Sequence, residues 1–379
     1  MEQTRCCAVS PAPGDTARQS VTGPRQQPNR TEETTPMTDS PLDLTYAAAE
    51  DRYEKVPYHR TGNSGLDLPA FSFGLWQKFG SDYAFATQRE IILHAFDLGI
   101  THFDNADRYG PPHRAAQKNF GAVLAKDLAP YRDELILSTK AGNPIGPSPY
   151  LKGGSRKSIL TSLDHSLRDL GTDYVDIFYH HSPDLSTPLE ESVGALVSAV
   201  EQGKALYVGI SNYLPDRTHE AAELLRQAGV PLLIHQARYS IYDRRPEQNG
   251  LLDTARQDGF GLIVYSPLAQ GLLTDKYLET IPERARAQNS AFLTPDVIDE
   301  TYRQRTAELN KIAEARGQSL AQLALQWVLR RQEVTSALIG ASSTEQLDHN
   351  IAALNFPPLT DEELALIEEH GVHGTGLRL

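Results

Sequence analysis

An alternation of short apolar or β-branched runs with amphipathic segments, beginning near residue 58, constrains the fold more than any other feature. The runs predict eight strands: Phe71–Trp76, Thr101–Ala106, Glu134–Lys140, Tyr174–His181, Ala205–Ser211, Pro231–Tyr239, Gly261–Leu268 and Val334–Gly340. The segments predict helices over Gln88–Leu98, Arg114–Lys126, Ser155–Leu170, Pro188–Gln202, Asp216–Ala228, Gly250–Gln257, Glu300–Ala315, Leu320–Arg331 and Thr344–Leu354. Strands that alternate with helices in this way pair in parallel.

The arrangement of this parallel sheet can be open and doubly wound, or closed. No G-x-G-x-x-G motif follows an early strand, which removes the usual dinucleotide signature of the open fold. We therefore predict an α/β fold with a single (β/α)8 TIM barrel over residues 58–371. Residues Tyr58–Asp67 are expected to form a hairpin that closes the barrel floor.

The ends of the predicted helices carry turn and cap signals. Glycine, which favours a left-handed cap, follows five helical runs, at Gly99, Gly171, Gly203, Gly229 and Gly259. Thr360 and Glu363 have the spacing of a capping box. These signals support the predicted boundaries independently of the apolar pattern.

The first 45 residues have a different composition, rich in Pro, Thr, Ser, Gln and Gly and almost without apolar periodicity. Such a segment cannot bury enough surface to offset the entropy of ordering it, so residues 1–45 are predicted to be a disordered extension. Met37 is the only methionine after Met1. Two alternatives therefore stay open, a disordered tail and translation that begins at Met37.

Charge and cysteine usage exclude several classes of partner. A net charge of −13 disfavours nucleic acid and anionic membrane surfaces. No run approaches the roughly 18 apolar residues of a membrane span. The two cysteines, Cys6 and Cys7, are adjacent and can supply neither a disulfide framework nor a zinc site, which fits a cytoplasmic location. A homo-oligomer is compatible with this composition.

Chemically suitable side chains follow three consecutive strands of the predicted barrel. In such barrels the functional groups gather at the carboxyl ends of the strands. Asp104 ends the second strand, Tyr109 follows it, Lys140 ends the third and His180-His181 end the fourth. Each residue alone also has an ordinary structural explanation, such as a turn, a solvated strand end or wall packing. Adjacent histidines on a strand point to opposite faces, so only one can face this site.

This set of side chains suits the reduction of a carbonyl group. An ordinary tyrosine, with a pKa near 10, is a weak acid at neutral pH, and a nearby ammonium lowers that pKa. Lys140 is expected to supply that charge, Asp104 to hold Lys140 in place, and a histidine to orient the carbonyl oxygen. A barrel hydrolase with a metal held by His180, His181 and Asp104 is the weakest alternative, because adjacent histidines of a regular strand cannot ligate one ion. No metal site is predicted.

Several motifs, in order, resemble the aldo-keto reductase superfamily over about residues 58–371. They are Gly99-Ile100-Thr101-His102-Phe103-Asp104, Tyr109-Gly110, Ser138-Thr139-Lys140, Tyr174-Val175-Asp176-Ile177 and Gly209-Ile210-Ser211-Asn212. The stretches Gly146–Lys157, Tyr265–Thr274 and Leu338–Ser342 are similar to the branch of potassium-channel β subunits and bacterial L-glyceraldehyde 3-phosphate reductases.

The resemblance implies roles for individual positions. The catalytic tetrad would be Asp104, Tyr109, Lys140 and His181. The cofactor NADPH would contact three groups: Ser211, Asn212, Gln236 and Tyr265 at the nicotinamide; Ser266, Pro267, Leu268, Gln270 and Gly271 at the pyrophosphate; and Gly340, Ser342, Gln346 and Asn350 at the adenosine and its 2′-phosphate. A backbone of small residues after strand seven and the helix start after strand eight suit such anions.

The chain departs from the resembling reductases at three positions. Ser182 and Ser343 stand where those reductases tend to have Arg, and His349 stands where a Glu is common. Without Arg at 343 a bidentate phosphate ligand is missing, which bears on the choice between NADPH and NADH. Without Arg at 182 an anion clamp for a phosphorylated substrate is in question, and Arg156 and Lys157 either compensate or are solvated.

The sequence thus predicts a cytoplasmic, NADPH-dependent reductase of small-molecule carbonyl compounds, with Tyr109 as proton donor. Glyceraldehyde 3-phosphate and methylglyoxal are the candidate substrates. The alternative is an NADPH-binding regulatory module, like the channel β subunits, with little turnover. The intact tetrad favours the enzyme.

Overall fold

The architecture is taken from a computed structural model that describes residues 46–283, 285–289 and 293–377. The predicted extension over residues 1–45 lies outside the described residues. No helix in the described part of the chain is long and apolar enough to cross a lipid bilayer.

A short hairpin precedes a closed barrel of eight strands. The hairpin strands are β1 (Tyr58–Arg60) and β2 (Asp67–Pro69). The barrel strands are β3 (Phe71–Gly74), β4 (His102–Asp104), β5 (Ile136–Ala141), β6 (Val175–His180), β7 (Ala205–Ser211), β8 (Leu232–Arg238), β9 (Gly261–Tyr265) and β10 (Val334–Ile339). They pair in parallel in chain order, and β10 closes the ring against β3. The predicted (β/α)8 barrel is confirmed.

Helices connect the strands and continue after the last one. They are α1 (Phe85–Asp97), α2 (Ala115–Val123), α3 (Arg156–Leu170), α4 (Leu189–Glu201), α5 (Pro215–Gln227), α6 (Arg245–Gln248), α7 (Leu251–Asp258), α8 (Arg286–Asn289), α9 (Glu300–Ala315), α10 (Leu320–Leu329), α11 (Thr344–Ile351) and α12 (Asp361–His370). The predicted capping box is present, since Thr360 and Glu363 bond reciprocally at the start of α12. The five predicted cap glycines all have positive φ.

Most predicted boundaries differ from the structure by one to a few residues, and two of these differences have clear local reasons. The helix predicted to begin at Arg114 begins one residue later, because Arg114 has a left-handed backbone with φ of 72°. The strand predicted to reach Leu268 ends at Tyr265, because Ser266, with φ of 56°, leaves the extended conformation. The second change turns the backbone away from the sheet at the end where the candidate site lies.

The hairpin closes the amino-terminal end of the barrel, as predicted. The backbone N–H of Asn63 donates to the Gly259 carbonyl just before β9, at 2.8 Å. Gly62, with φ of 53°, approaches so closely that an added Cβ would lie 2.3 Å from the Gly259 oxygen. Leu68 is fully buried and packs in the interior apolar cluster, whose other buried members are Ile177, Tyr179, Leu233, Ile234, Ile263 and Leu338. The larger apolar core lies between the strands and the helices, for example where the rings of Phe103 and Phe120 pack with centroids 5.1 Å apart.

Candidate active site

The carboxyl ends of three neighbouring strands carry the candidate chemistry. Asp104 is the last residue of β4, Lys140 is next to last in β5, and His181 directly follows β6. Because these strands are parallel and adjacent, the three side chains meet at one end of the barrel, here named the mouth. Tyr109 joins them from the loop between β4 and α2.

Lys140 is the centre of this arrangement. Its fully buried Nζ donates to Asp104 Oδ2 at 2.5 Å, to the Asn105 carbonyl at 2.8 Å and to Tyr109 Oη at 3.1 Å. These three bonds use all three ammonium hydrogens. The ammonium is therefore fixed between a carboxylate and a phenol, the contact that the proposed chemistry needs.

Asp104 is held in turn by a chain of buried polar groups inside the barrel. Its Oδ1 accepts hydrogen bonds from Ser138 Oγ at 2.7 Å and from Gln236 Nε2 at 3.2 Å. Ser138 Oγ also contacts His102 Nε2 at 3.0 Å, and His102 Nδ1 lies 2.8 Å from Ser72 Oγ. Ser138, His102 and Ser72 were not predicted as site residues. The signal was available, because His102 and Asp104, like Ser138 and Lys140, are two residues apart and so share one face of a strand.

Burial determines the charge state of these groups. It raises the pKa of the Tyr109 phenol well above the ordinary value, and the Asp104 carboxylate raises it further. It also lowers the pKa of Lys140, an effect that Asp104 opposes. The expectation that the pKa of Tyr109 is lowered overall is therefore wrong for the protein alone. The reason is that a phenolate in this dry site faces both a desolvation cost and a nearby carboxylate.

His181 faces the ring of Tyr109, and His180 does not. The rings of His181 and Tyr109 meet edge to face with centroids 6.0 Å apart. Burial, followed by the charges of Lys140 and Arg108, lowers the pKa of His181 well below its ordinary value, so its imidazole is neutral. His180 instead shares a hydrogen bond of 2.6 Å between its Nδ1 and Tyr213 Oη. The opposite orientation expected for adjacent histidines is present.

Three of the predicted nicotinamide contacts lie at the mouth beside His181. Asn212, with φ of 63°, donates from Nδ2 to the His181 carbonyl and to Ser211 Oγ, both at 3.1 Å. Tyr265 Oη donates to Asn212 Oδ1 at 2.8 Å. Gln236 reaches the same region from β8 but donates to Asp104, as described above. The structure therefore brings these four residues next to the tetrad.

The predicted pyrophosphate segment after β9 has an unusual backbone. Ser266, Ala269, Gln270 and Gly271 all have positive φ, between 46° and 98°. The Gly271 N–H donates to the Leu268 carbonyl at 2.8 Å, which keeps the segment tightly turned after Pro267. Turns that mix left- and right-handed residues orient successive N–H groups into concave anion sites.

The predicted adenosine contacts form a separate group around the start of α11, after Gly340. Gln346 Oε1 accepts from the N–H and the hydroxyl of Ser342 at 2.9 and 3.0 Å. Ser343 is the N-cap of α11 and accepts from the Gln346 N–H at 3.3 Å. Asn350 is buried, and its Nδ2 has no hydrogen-bond partner among the described residues. These hydrogen bonds lie within α11 and the residues just before it, and none of them involves a tetrad residue.

Two of the departures from the resembling reductases have structural roles here. Ser182 Oγ donates to Asn143 Oδ1 at 3.1 Å. His349 Nε2 shares a hydrogen bond of 2.8 Å with Ser319 Oγ, the N-cap of α10. Within the described residues there is no group of three or more His, Cys, Asp or Glu side chains arranged to hold a metal ion.

Comparison with known proteins agrees with this fold. Residues 70–372 match the Aldo/keto reductase family model. The chain is 51% identical over 335 residues to the L-glyceraldehyde 3-phosphate reductase of Escherichia coli (strain K12), covering 87% of this chain and 97% of that protein. It is 33% identical over 326 residues to a putative voltage-gated potassium channel subunit beta of Schizosaccharomyces pombe, covering 83% of this chain and 93% of that protein.

A solved structure of an aldo-keto reductase has the same fold. The aldo-keto reductase AKR11C1 from Bacillus halodurans (holo form) superposes with a TM-score of 0.66 at 26% sequence identity, covering 83% of this chain and 96% of that chain. The resemblance inferred from the motifs is thereby confirmed. The chain belongs to the aldo/keto reductase family, a family of oxidoreductases.

Proposed function

We propose that this protein is an NADPH-dependent reductase of aldehydes in which Tyr109 donates the proton. The observation that carries the proposal is the Lys140 ammonium, bonded at once to Asp104 and to Tyr109 Oη. The L-glyceraldehyde 3-phosphate reductase relative supports glyceraldehyde 3-phosphate as a substrate, and methylglyoxal is a second candidate. A chain with this geometry has an acid, a charge that stabilises its conjugate base, and a carboxylate that orients that charge.

The tetrad performs the proton half of the reaction. The raised pKa keeps Tyr109 protonated, so the proton is present when negative charge develops on the carbonyl oxygen. As that proton leaves, Lys140, 3.1 Å from Oη, stabilises the phenolate. The neutral imidazole of His181 orients the carbonyl oxygen without adding a charge that would compete with the acid. NADPH, when bound, supplies the hydride to the carbonyl carbon.

The residues around the mouth fit such a cofactor. Ser211, Asn212, Gln236 and Tyr265 would hold the nicotinamide, the last as a ring beside it. The positive-φ segment Ser266, Pro267, Leu268, Gln270 and Gly271 would hold the pyrophosphate, since its turned backbone suits an anion. Gly340, Ser342, Gln346 and Asn350 would hold the adenosine end. The buried Asn350 Nδ2, a donor without a partner among the described residues, supports a polar ligand there.

The test is the loss of NADPH absorbance with a panel of aldehydes, for the native protein and for Tyr109→Phe. We expect Tyr109→Phe to bind NADPH normally and to lose about 10²-fold or more in turnover, because only the acidic hydrogen is removed. Tyr53→Phe is the matched control, since Tyr53 is exposed and bonds Glu134 away from the mouth. Full activity in Tyr109→Phe would refute the acid assignment.

The same assay distinguishes the reductase from the alternative, an NADPH-binding regulatory module with little turnover. The identity with a channel β subunit favours that alternative. A reductase consumes NADPH with many equivalents of aldehyde. A regulatory module binds one equivalent of NADPH and shows no turnover with any aldehyde of the panel.

A further inference from the structure

A row of buried hydrogen-bonding groups crosses the interior of the barrel and ends at Asp104. Ser336 Oγ lies 2.6 Å from Ser72 Oγ, which lies 2.8 Å from His102 Nδ1. His102 Nε2 lies 3.0 Å from Ser138 Oγ, and Ser138 donates to Asp104 Oδ1 at 2.7 Å. All five residues are at most 1% exposed, so the members of this hydrogen-bonded chain bond to one another and not to bulk water.

The charge state of His102 follows from its surroundings. Burial and the charge of the Lys140 ammonium lower its pKa to about 4, although the charge of Asp104 opposes the change. The imidazole is therefore neutral at pH 7. A neutral imidazole has one ring nitrogen that donates a hydrogen bond and one that accepts.

Every hydrogen bond of the chain then has one possible direction. Asp104 is the carboxylate of an ion pair and only accepts, so the single hydroxyl hydrogen of Ser138 goes to Asp104. His102 Nε2 must donate to Ser138, and His102 Nδ1 must accept from Ser72. The hydrogen of Ser72 is thereby used, so Ser336 supplies the hydrogen between the two hydroxyl oxygens.

This direction bears on the position of Asp104. A hydroxyl that accepts a hydrogen bond becomes a stronger donor, so each link polarises the next one toward the carboxylate. Ser138 and Gln236 hold Oδ1, while Oδ2 accepts from Lys140 Nζ at 2.5 Å. Rotation of the carboxylate would break these bonds together. The carboxylate thus keeps the ammonium at 3.1 Å from Tyr109 Oη.

We propose that His102, as the neutral tautomer with its hydrogen on Nε2, is a positioning residue that fixes the Asp104 carboxylate through Ser138. This role rests on the proposed function and deepens it, because Asp104 orients the Lys140 ammonium that stabilises the Tyr109 phenolate. With the other tautomer, Ser138 would have to donate to His102 Nε2, and Asp104 Oδ1 would lose that hydrogen bond.

The tautomer is measured by nitrogen-15 nuclear magnetic resonance on protein labelled in its histidine rings. The spectrum distinguishes a protonated ring nitrogen from an unprotonated one, and the signals of His102 are those that disappear in His102→Gln. We expect a protonated Nε2 and an unprotonated Nδ1 at pH 7. The opposite tautomer, or a ring protonated on both nitrogens, would overturn the inference.

Kinetics with glyceraldehyde 3-phosphate and methylglyoxal test the role in turnover. We expect kcat to fall about 10-fold in His102→Leu, the lower end of the worth of a hydrogen bond to a charged group, with an unchanged Kd for NADPH. His102→Gln keeps an N–H near the position of Nε2 and should recover most of that loss. His235→Leu is the matched control and should keep the native kcat, because His235 is equally buried but contacts Thr218, outside the chain.

A double-mutant cycle tests whether His102 acts through Ser138. Ser138→Ala alone should also lower kcat about 10-fold, since it removes the last bond of the chain. The double variant His102→Leu/Ser138→Ala should lose little more than either single variant. Losses that multiply, or a native kcat in His102→Leu, would overturn the inference. The resonance measurement and Ser138→Ala decide the question even if His102→Leu does not fold.

The proposed function and the role of His102 fail in different ways. A native protein that reduces no aldehyde overturns the proposed function, and this role with it. Turnover in the native protein, together with the opposite tautomer or with losses that multiply, overturns the role of His102 alone.

Discussion

At the scale of single residues, burial rather than pairwise charge dominates the proton affinities around the mouth. The pKa of Tyr109 is raised, that of Lys140 is lowered, and that of His181 is lowered, and in each case burial is the largest cause. Burial disfavours whichever form carries the charge. Before the reaction the site therefore holds a protonated phenol and a neutral imidazole. The contacts of Lys140 stabilise most strongly the negative charge that develops during the reaction.

Asp107 gives a stability test of the same principle. Burial raises its pKa to about 6, although the hydrogen bond from Ser162 opposes the rise. Because the folded state prefers the protonated carboxyl, this residue lowers stability as the pH rises from about 4 to about 6. A pKa raised from 3.8 to about 6 corresponds to about 3 kcal/mol. We expect Asp107→Asn, which stays neutral, to be more stable than the native protein at pH 7 by up to that amount, and near equal at pH 4.

Urea unfolding at both pH values measures this difference. Asp253→Asn serves as the control, because the side chain of Asp253 is 80% exposed and its removal should shift stability equally at the two pH values. An Asp107→Asn protein that is less stable than the native one at pH 7 would contradict the argument.

At the scale of elements, the β1–β2 hairpin stabilises the barrel at the end opposite the candidate active site. Leu68 from β2 fills the interior at the floor, at the opposite end of the barrel from Tyr109 and Lys140. The barrel strands therefore pack around a hydrophobic residue that lies outside the barrel's own sheet. The hydrogen-bonded chain from Ser72 to Asp104 lies inside the barrel, on the neighbouring strands β3, β4 and β5.

We expect Leu68→Ala to destabilise the protein by about 2–5 kcal/mol, because the residual cavity cannot collapse between closed strands. Denaturant unfolding measures that loss. The kcat of the folded fraction at 25 °C should remain near the native value, since the apolar cluster that holds Leu68 contains no tetrad residue. Leu185→Ala, with a side chain that is 86% exposed in the native protein, should cost less than about 0.5 kcal/mol. A large fall in kcat with unchanged stability would show that the floor acts on the site.

At the scale of the whole molecule, the barrel should respond to cofactor and not to metal removal. A ligand at 100 times its Kd stabilises the folded protein by about 2.7 kcal/mol, which raises Tm by several degrees. We expect NADPH to raise Tm in the native protein and equally in Tyr109→Phe, as measured by calorimetry. A smaller rise with NADH at the same concentration would support the NADPH preference, and an equal rise would contradict it.

Chelation provides the complementary measurement on the whole molecule. In the part of the chain that the structure describes, no cluster of ligating side chains is arranged for a metal, and His180 and Asp104 are bonded to Tyr213 and Lys140. Treatment with EDTA should therefore leave both turnover and Tm unchanged. Loss of activity that zinc restores would revive the metal-dependent hydrolase.

The sequence by itself determined the eight-fold alternation, the closed barrel and the residue types at three strand ends, because periodicity and turn chemistry are local properties. Only the tertiary structure decided which atoms meet. It showed that Ser138 and Gln236 hold Asp104, that Arg156 bonds α4, and that burial raises the pKa of Tyr109. These outcomes depend on burial and on contacts between residues far apart in the chain, and neither quantity is encoded in any short stretch of sequence.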